Sequence, residues 1–430
     1  MKKRSYRAVK VNKVNEDKLA EKVKGKHVVL GTDMAKEECF GRLLTKEKEV
    51  LITIKWKQIE GTRSLVGLLN RLPADRLEVA MEPTGTYGDA LLWQLKQAGI
   101  PVFKVSGKRC HDAAEVFDGV PSMHDAKAAD IVARLHLDGA SSAWEEKTDN
   151  ERELAVEVRT MANFDDQYHR MLNRIEAQLA RHWPELTTII GLTSATLLVL
   201  LEKFGGPQAV IEQAKEVRQL MRRVGRNFLA EEKIEQVIKS AHTTIGVPMI
   251  KVEQQGMKTL AHEANRCRKL GRKTEKQVVQ LSKGNTTISH MAPVLGTTTA
   301  AVLVACAGEV SQYNGASSYV KGLGLNLKER SSGKYKGQLK ITKRGPSEAR
   351  QYLYLAALRL IGPNGDLVIR AWYLKKVKRD GGRWKQRGVV AVMRKLSAAL
   401  WHVGQGAKFD SRLLFNTRRL KNELAESVAA

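Results

Sequence analysis

Short apolar runs alternate with helix-like segments in the first third of the chain. The runs rich in β-branched and other apolar residues are 27–33, 50–54, 77–82 and 101–105. Segments 62–71 and 88–98 lie between them and carry apolar residues at helical spacing. Strands that alternate with helices are typical of an α/β sheet. We therefore expect an α/β domain over residues 27–142, preceded by a mobile, lysine-rich arm at residues 1–26.

A long helical pattern follows the strand-like segments. Apolar residues recur at alternating spacings of four and three, which is a heptad stripe interrupted at Asp165 and His182. Its other members are Leu154, Val158, Met161, Tyr168, Leu172, Ile175 and Leu179. A weaker stripe runs from Met257 to Leu281. The two stripes fit an antiparallel hairpin within one chain or a coiled coil between chains, so residues 143–286 are expected to form a helical core or a dimerisation region.

The remaining pattern is mainly helical, and it completes an α/β plus all-α chain. Residues 347–361 have the spacing and the end signals of a helix. Segments 190–198 and 295–303 each place a hydrophobic-Gly turn before a helix of small residues. Such turns suit a helix-hairpin-helix element, in which backbone N–H groups grip a phosphate without reading sequence. We expect a C-terminal domain over residues 287–410 and a tail at 411–430.

The net charge of the chain indicates which class of partner it binds. Lys and Arg outnumber Asp and Glu by 73 to 46, which gives a net charge of +27 and indicates a polyanionic partner. Apolar residues make up 43% of the chain, enough for packed cores. No apolar run approaches the roughly 20 residues of a membrane span, and the four cysteines are dispersed without a CxxC pair. These features predict a cytoplasmic nucleic-acid-binding protein without a disulfide, a zinc site or a membrane partner.

Three acids occupy positions typical of a metal-dependent nuclease. Asp33 and Glu82 end two of the predicted strands, and Asp125 begins a predicted helix. Carboxylates that converge at one sheet edge can hold two Mg²⁺ ions about 4 Å apart, which clamp the attacking and leaving oxygens of phosphoryl transfer. Each acid alone is more often a surface group or a helix cap. Together, on so basic a chain, they indicate a metal site.

A serine pair lies in the most basic loop of the chain. Residues 321–350 contain nine basic residues and two acids, a density that predicts a phosphate-binding surface. Ser331 and Ser332 more often serve only to keep such a loop soluble. A nucleophilic serine needs neighbouring cations to stabilise the charge on a phosphorane. The candidate phosphate contacts are Arg330, Lys334, Lys336, Lys343 and Arg344.

Several short motifs, taken in order, resemble one known family. They are Gly31-Thr32-Asp33, Glu82-Pro83-Thr84-Gly85-Thr86-Tyr87, His124-Asp125-Ala126-Lys127, Gly324-Leu325, Ser332-Gly333 and Lys343-Arg344-Gly345. The resemblance is to insertion-sequence transposases that join an N-terminal RuvC-like DEDD domain to a C-terminal serine domain, now known as bridge-RNA-guided recombinases. The chain departs from the family at the last acids, where the usual Asp-x-x-Asp-Ala is absent. Asp130 is then the best substitute for the fourth ligand, or Ser122 stands where an acid is missing.

The resemblance implies a fold, cofactors and partners. It implies an RNase H/RuvC-like N-terminal domain with Mg²⁺ held by Asp33, Glu82, Asp125 and Asp130. It also implies a covalent phosphoserine link at Ser332 during exchange of strands between donor and target DNA. A structured non-coding guide (bridge) RNA would pair with both DNAs. The active form would be a homo-oligomer, a dimer or a tetramer, whose chains share composite sites.

Two other functions fit part of the pattern. A RuvC-like metal-dependent junction nuclease would need the carboxylates but not Ser332. A non-enzymatic nucleic-acid-binding protein would need only the charge. Site-specific recombination is the interpretation that uses both the acids and the serine.

Overall fold

The computed structural model describes residues 6–83, 85–145, 147–329, 331–332, 335–337 and 339–420. The described residues up to 145 form one compact unit, and those from 147 onward form a second. Within these described residues, we find no helix with the length and apolar character that crossing a membrane requires.

A single seven-stranded sheet organises the first unit. Its strands are β1 (Val9–Lys10), β2 (His27–Asp33), β3 (Glu38–Thr45), β4 (Val50–Lys57), β5 (Arg76–Met81), β6 (Val102–Val105) and β7 (Ser141–Ala143). The spatial order is β1-β4-β3-β2-β5-β6-β7. The central β2 pairs antiparallel with β3 and parallel with β5, and β5 pairs parallel with β6. The meander β2-β3-β4, followed by parallel β5 and β6, confirms the predicted RNase H/RuvC-like α/β fold class.

Helices cover both faces of this sheet. They are α1 (Glu16–Val23), α2 (Gln58–Arg71), α3 (Asp89–Gln97), α4 (Gly107–Asp112) and α5 (Asp125–Leu137). Alternation along β2 divides its side chains between two cores, because successive residues of a strand point to opposite faces. Leu30 packs in the core that includes Leu65 of α2, whereas Val29 packs in the core that includes Ile131 of α5. Asp33 has the same parity as Val29 and therefore belongs to the α5 face.

The described part of the N-terminal segment is structured, so the predicted mobile arm is wrong for residues 6–26. Residues 9 and 10 form β1, which pairs in parallel with β4. The side chain of Asn15 caps α1 by accepting a hydrogen bond from the Lys18 N–H, and α1 buries Leu19 and Val23. The lysine-rich composition concealed this amphipathic spacing. Residues 1–5 lie outside the described part of the chain.

The second unit is mainly helical. Its helices are α6 (Asp149–His182), α7 (Leu186–Ile189), α8 (Ala195–Phe204), α9 (Pro207–Glu212), α10 (Ala214–Gly225), α11 (Glu231–Thr243), α12 (Lys251–Leu281), α13 (Thr286–Leu295), α14 (Thr297–Ala307), α15 (Ala316–Gly322), α16 (Ser347–Ile361), α17 (Leu367–Arg379) and α18 (Lys385–Gly404). Among the described residues between α15 and α16 there are four two-residue strands: β8 (Leu327–Lys328), β9 (Ser331–Ser332), β10 (Tyr335–Lys336) and β11 (Lys340–Ile341). The helix expected at 347–361 is confirmed as α16.

The two heptad stripes pair with each other inside the chain. Leu154 near the start of α6 shares a core with Val278 near the end of α12, and Leu179 shares a second core with Met257 near the start of α12. The two long helices are therefore antiparallel. Leu172 and Ile175, which could have faced a partner chain, are fully buried between α6, α8 and α12. Of the two arrangements left open by the sequence, the structure has the intrachain hairpin.

Candidate active site

The end of β2 lies directly beneath α5 because residue 31 carries no side chain. A Cβ atom on Gly31 would lie 2.5 Å from the backbone nitrogen of Ala133 and 2.8 Å from its Cβ, and it would also overlap the carbonyl oxygen of Ala129. Only glycine permits so close an approach of helix and strand. The packing brings Asp125, the first residue of α5, to the end of the sheet where Asp33 lies.

Asp125 and Glu82 act electrostatically on Asp33 at this end of the sheet. Burial, followed by the charges of Asp125 and Glu82, raises the pKa of Asp33 from 3.8 to about 6. Asp33 and Glu82 are half-buried, whereas Asp125 is exposed. In the part of the chain that is described, no three Asp, Glu, His or Cys side chains converge closely enough to form a ready-made metal cluster. The structure thus places the Asp33 carboxyl within the electrostatic influence of both Asp125 and Glu82.

Two residues of α4 hold the Glu82 carboxylate. A Cβ atom on Gly107 would lie 3.0 Å from Cδ of Glu82, so the carboxylate rests on the first turn of this helix. The buried Cys110 thiol makes a hydrogen bond with Glu82. Burial and the negative charge of Glu82 raise the pKa of Cys110 to about 12, so the thiol stays protonated and donates. This contact was not predictable from the sequence, because Cys110 belongs to no motif.

Asp130 serves a different purpose from the one predicted for it. Its carboxylate is buried and forms ion pairs with Nε of Arg42 at 2.9 Å and Nε of Arg134 at 2.7 Å. Arg42 also donates to Thr53 at 3.1 Å and lies under the ring of Tyr6 at 4.4 Å. Asp130 follows Asp125 by five residues in α5, so the two side chains lie on different faces of the helix. Asp130 therefore ties α5 to β3, and it is not among the acids that act on Asp33.

The alternative position for the missing acid, Ser122, belongs to a loop fastened by a buried lysine. Lys127 on α5 is 2% exposed, and its Nζ donates to Asp118 at 2.8 Å, the Val120 carbonyl at 2.5 Å and the Ser122 carbonyl at 3.1 Å. Nδ1 of His124 accepts from the Lys127 N–H at 3.2 Å and caps the helix. The His124-Asp125-Ala126-Lys127 motif therefore fixes the approach of the chain to Asp125. The sequence assigned Lys127 no such role.

Ser332 lies on a small hairpin in the second unit. β9 pairs antiparallel with β10, so that Ser332 is opposite Tyr335, and β8 pairs antiparallel with β11. Ser331 and Ser332 are both exposed. The serine is thus presented on extended backbone rather than within a disordered loop.

Backbone contacts and two arginines secure the base of this hairpin. A Cβ atom on Gly345 would lie 2.8 Å from the backbone nitrogen of Gly324, so the two ends of the hairpin cross without side chains between them. Arg350 donates to the carbonyls of Leu323 at 3.3 Å and Gly345 at 2.6 Å. Arg394 of α18 donates to the Leu325 carbonyl at 2.8 Å. The hairpin is therefore anchored to α16 and α18.

The cationic residues expected around the serine are described only in part. Lys343 and Arg344 are exposed at the base of the hairpin, and Lys343 has a positive φ of 57°. The backbone of Lys336 pairs with that of Ser331. Arg330 and Lys334 lie outside the described residues, as does the side chain of Lys336.

Comparisons with known proteins match both units. Residues 289–369 match the model of a family described as "Transposase IS116/IS110/IS902 family". Residues 30–184 match a second model, of DEDD transposase domains of the IS110 type, which is described as "Transposase". The chain is also 22% identical over 400 residues to the "Insertion element IS110 uncharacterized 43.6 kDa protein" of Streptomyces coelicolor, covering 90% of this chain and 96% of that relative.

Proposed function

We propose that this chain is a transposase of the IS110 type that cuts and rejoins DNA strands through a covalent bond to Ser332, because residues 30–184 and 289–369 match transposase family models and the chain is similar to an IS110 protein over most of its length. One observation carries the proposal: a single chain has three coupled carboxylates at a sheet end and an exposed serine on an anchored hairpin. A nuclease that only hydrolyses would need the carboxylates alone, and a packaging protein would need neither.

Asp33, Glu82 and Asp125 are the residues we propose as Mg²⁺ ligands. Carboxylate oxygens are the hard ligands that Mg²⁺ prefers. Burial and the charges of Asp125 and Glu82 raise the pKa of Asp33, and a bound divalent cation would offset this cost of ionising Asp33. When bound, Mg²⁺ stabilises negative charge on the oxygens around a reacting phosphorus. Glu82 is held in place for this role by Gly107 and Cys110.

Ser332 is the proposed nucleophile. Its hydroxyl oxygen bonds to phosphorus, the bond from phosphorus to one deoxyribose oxygen breaks, and that oxygen takes up a proton. The hydroxyl of another strand then attacks the same phosphorus and releases the serine with its proton restored. The number of phosphodiester bonds is conserved, so the exchange needs no external energy source. Arg350 and Arg394 keep the hairpin in one position for both attacks.

Family resemblance and charge support the proposed partners. A net charge of +27 suits simultaneous binding of donor DNA, target DNA and a structured guide RNA. We propose a homo-oligomer, a dimer or a tetramer, in which each chain supplies one serine and one set of carboxylates. Lys343 and Arg344, exposed beside the hairpin, are proposed as phosphate contacts.

Trapping the covalent intermediate tests the proposal. The full-length protein is incubated with nicked DNA substrates, its co-purified RNA and Mg²⁺, and the DNA-linked peptide is mapped by mass spectrometry. We expect a DNA adduct on Ser332 and no adduct from the Ser332→Ala protein. Ser331→Ala is the matched control, because Ser331 is the exposed neighbour on the same strand. An adduct on Ser331, or strand exchange by Ser332→Ala, contradicts the assignment, and hydrolysis without any adduct favours the junction nuclease.

A further inference from the structure

A small cleft opens where the stripe of α6 is interrupted. Leu154, Val158 and Met161 pack in one core, and Leu172, Ile175 and Leu179 pack in the other. Between these cores, α6 and α12 leave a cavity of about 180 Å³ that α16 closes at one side. The cavity is below the roughly 300 Å³ at which pockets for whole small molecules begin. It accommodates a charged group rather than a complete metabolite.

Two arginines without acidic partners line this cleft. Arg268 is half-buried, and its Nε atom is shielded from solvent without a hydrogen-bond partner. Burial and the neighbouring charge of Arg272 lower the pKa of the Arg268 guanidinium. Within the described part of the chain, neither guanidinium forms an ion pair, whereas Arg266 on the same helix pairs with Glu263 at 2.8 Å. A buried N–H of a charged group destabilises the fold when it has no hydrogen-bond partner. A bound anion would accept that hydrogen bond and remove the cost.

Two acids, Asp165 and Glu275, also line the cleft, where their charges add to the burial that raises the pKa of Tyr352 to about 12. The Asp165 carboxylate lies 3.5 Å from Nδ1 of His169, and Glu275 accepts a hydrogen bond from Thr298 at 3.1 Å. Tyr168 lies near both arginines, whose charges oppose the rise that burial gives to its pKa. One side of the cleft therefore presents two guanidinium groups and a phenol ring to an incoming anion.

We propose that Arg268 and Arg272 bind a backbone phosphate of the DNA substrate in this cleft. A planar guanidinium donates two parallel hydrogen bonds to phosphate oxygens, and a phosphodiester group suits the size of the cavity. DNA is favoured as the ligand because Tyr352 of α16 also lines the cleft. The same helix carries Arg350, which anchors the serine hairpin. The choice of DNA rests on the proposed function, since it assumes that the hairpin acts on DNA.

Quantitative DNA binding with matched charge removal tests this site. The full-length protein with its co-purified RNA is titrated against a labelled DNA duplex over a range of salt concentrations. Arg268→Ala/Arg272→Ala should weaken binding about tenfold and lower the slope of log K against log salt by about 0.9, as for one lost phosphate contact. Lys269→Ala/Lys273→Ala removes the same charge from exposed positions of α12 and should change affinity less than about threefold. Equal losses in the two variants would overturn the proposal.

A milder variant keeps the test valid if the double variant is unstable. Arg268→Lys retains the charge but loses the planar fork, and we expect it also to bind DNA more weakly with an unchanged melting temperature. Wild-type affinity in Arg268→Lys would overturn the site, as would a loss confined to an RNA duplex of the same length. Repeating the titration with Ser332→Ala separates the two proposals, because failure of the nucleophile removes the adduct and leaves the binding result unchanged.

Discussion

Replacing Gly31 by alanine tests the contact that places Asp125 beside Asp33. The added Cβ would lie 2.5 Å from the Ala133 nitrogen, with the carbonyl oxygen of Ala129 in its way, and both are backbone atoms of α5 that cannot rotate aside. Overpacking of this kind costs about 1–3 kcal/mol. The helix must shift away from β2, and a shift of about 1 Å at a catalytic group lowers a rate about 100-fold. We expect Gly31→Ala to lose strand exchange and to retain nucleic-acid binding.

The stability part of this prediction can be measured locally in the full-length chain. Hydrogen exchange of the β2 and α5 amides reports their opening free energy, which should fall by the same 1–3 kcal/mol. Gly67→Ala is the matched control, since a Cβ there meets only the mobile end of the Arg71 side chain, at 3.3 Å, in the middle of α2. Alanine in a helix interior stabilises by about 0.5–1 kcal/mol relative to glycine. Unchanged exchange in Gly31→Ala, together with normal activity, would refute the packing argument.

Three further predictions concern charge, the hairpin and the helical pair. The folded pKa of Asp33, about 6, lies above its unfolded value, so its ionisation destabilises the fold as pH rises from about 4 to 6. Asp33→Asn should therefore raise the melting temperature above pH 6 and leave it unchanged below pH 4, and Mg²⁺ should stabilise the wild type more than this variant. Arg350→Ala should slow adduct formation about 10- to 100-fold at saturating DNA, with partial recovery in Arg350→Lys. Aspartates at Leu172 and Ile175 should unfold the helical pair, seen as lost circular dichroism, rather than give folded monomers.

The first two of these predictions have matched control variants, and the third has a result that would contradict it. Asp75→Asn makes the same change at an exposed acid and should leave the pH dependence of melting unaltered. Arg344→Ala, at an exposed position at the base of the hairpin, should weaken DNA binding without slowing the adduct at saturation. A melting curve of Asp33→Asn that follows the wild type at every pH contradicts the coupling of the acids. Stable monomers of the Leu172 and Ile175 variant in sedimentation would restore the interchain interpretation of the stripe.

The acids at strand ends were predictable because strands that end in a carboxylate leave a clear local pattern. Asp33 and Glu82 follow apolar runs, and a sheet whose central strands are parallel brings such ends together. The ion pairs of Asp130 were not predictable because a helical position five residues from Asp125 indicates the direction of the side chain and not the residue that it contacts. That partner, Arg42, comes from β3, a strand that the sequence pattern did not distinguish.

The pairing of the two long helices could not be decided from their spacing. A helix of the same chain and a helix of another chain can bury a stripe of apolar residues equally well. Burial depends on contact and not on chain connectivity. The interruption at Asp165 was visible in the sequence as an imperfection. Its meaning became clear only in three dimensions, where it separates two cores and leaves a cleft at Arg268.

The two-residue strand β1 has a practical consequence for anyone who expresses or truncates this protein. It pairs with Ile54 and Lys55 at the edge of β4, whose eight residues Val50–Lys57 include the apolar run Val50 to Ile54. A long, apolar strand edge is a template on which other chains aggregate. Residues 9 and 10 therefore shield this part of the β4 edge from pairing with another chain. A deletion that reaches residue 10, or a fusion that pulls this segment away, is expected to yield a protein that precipitates although its core is intact.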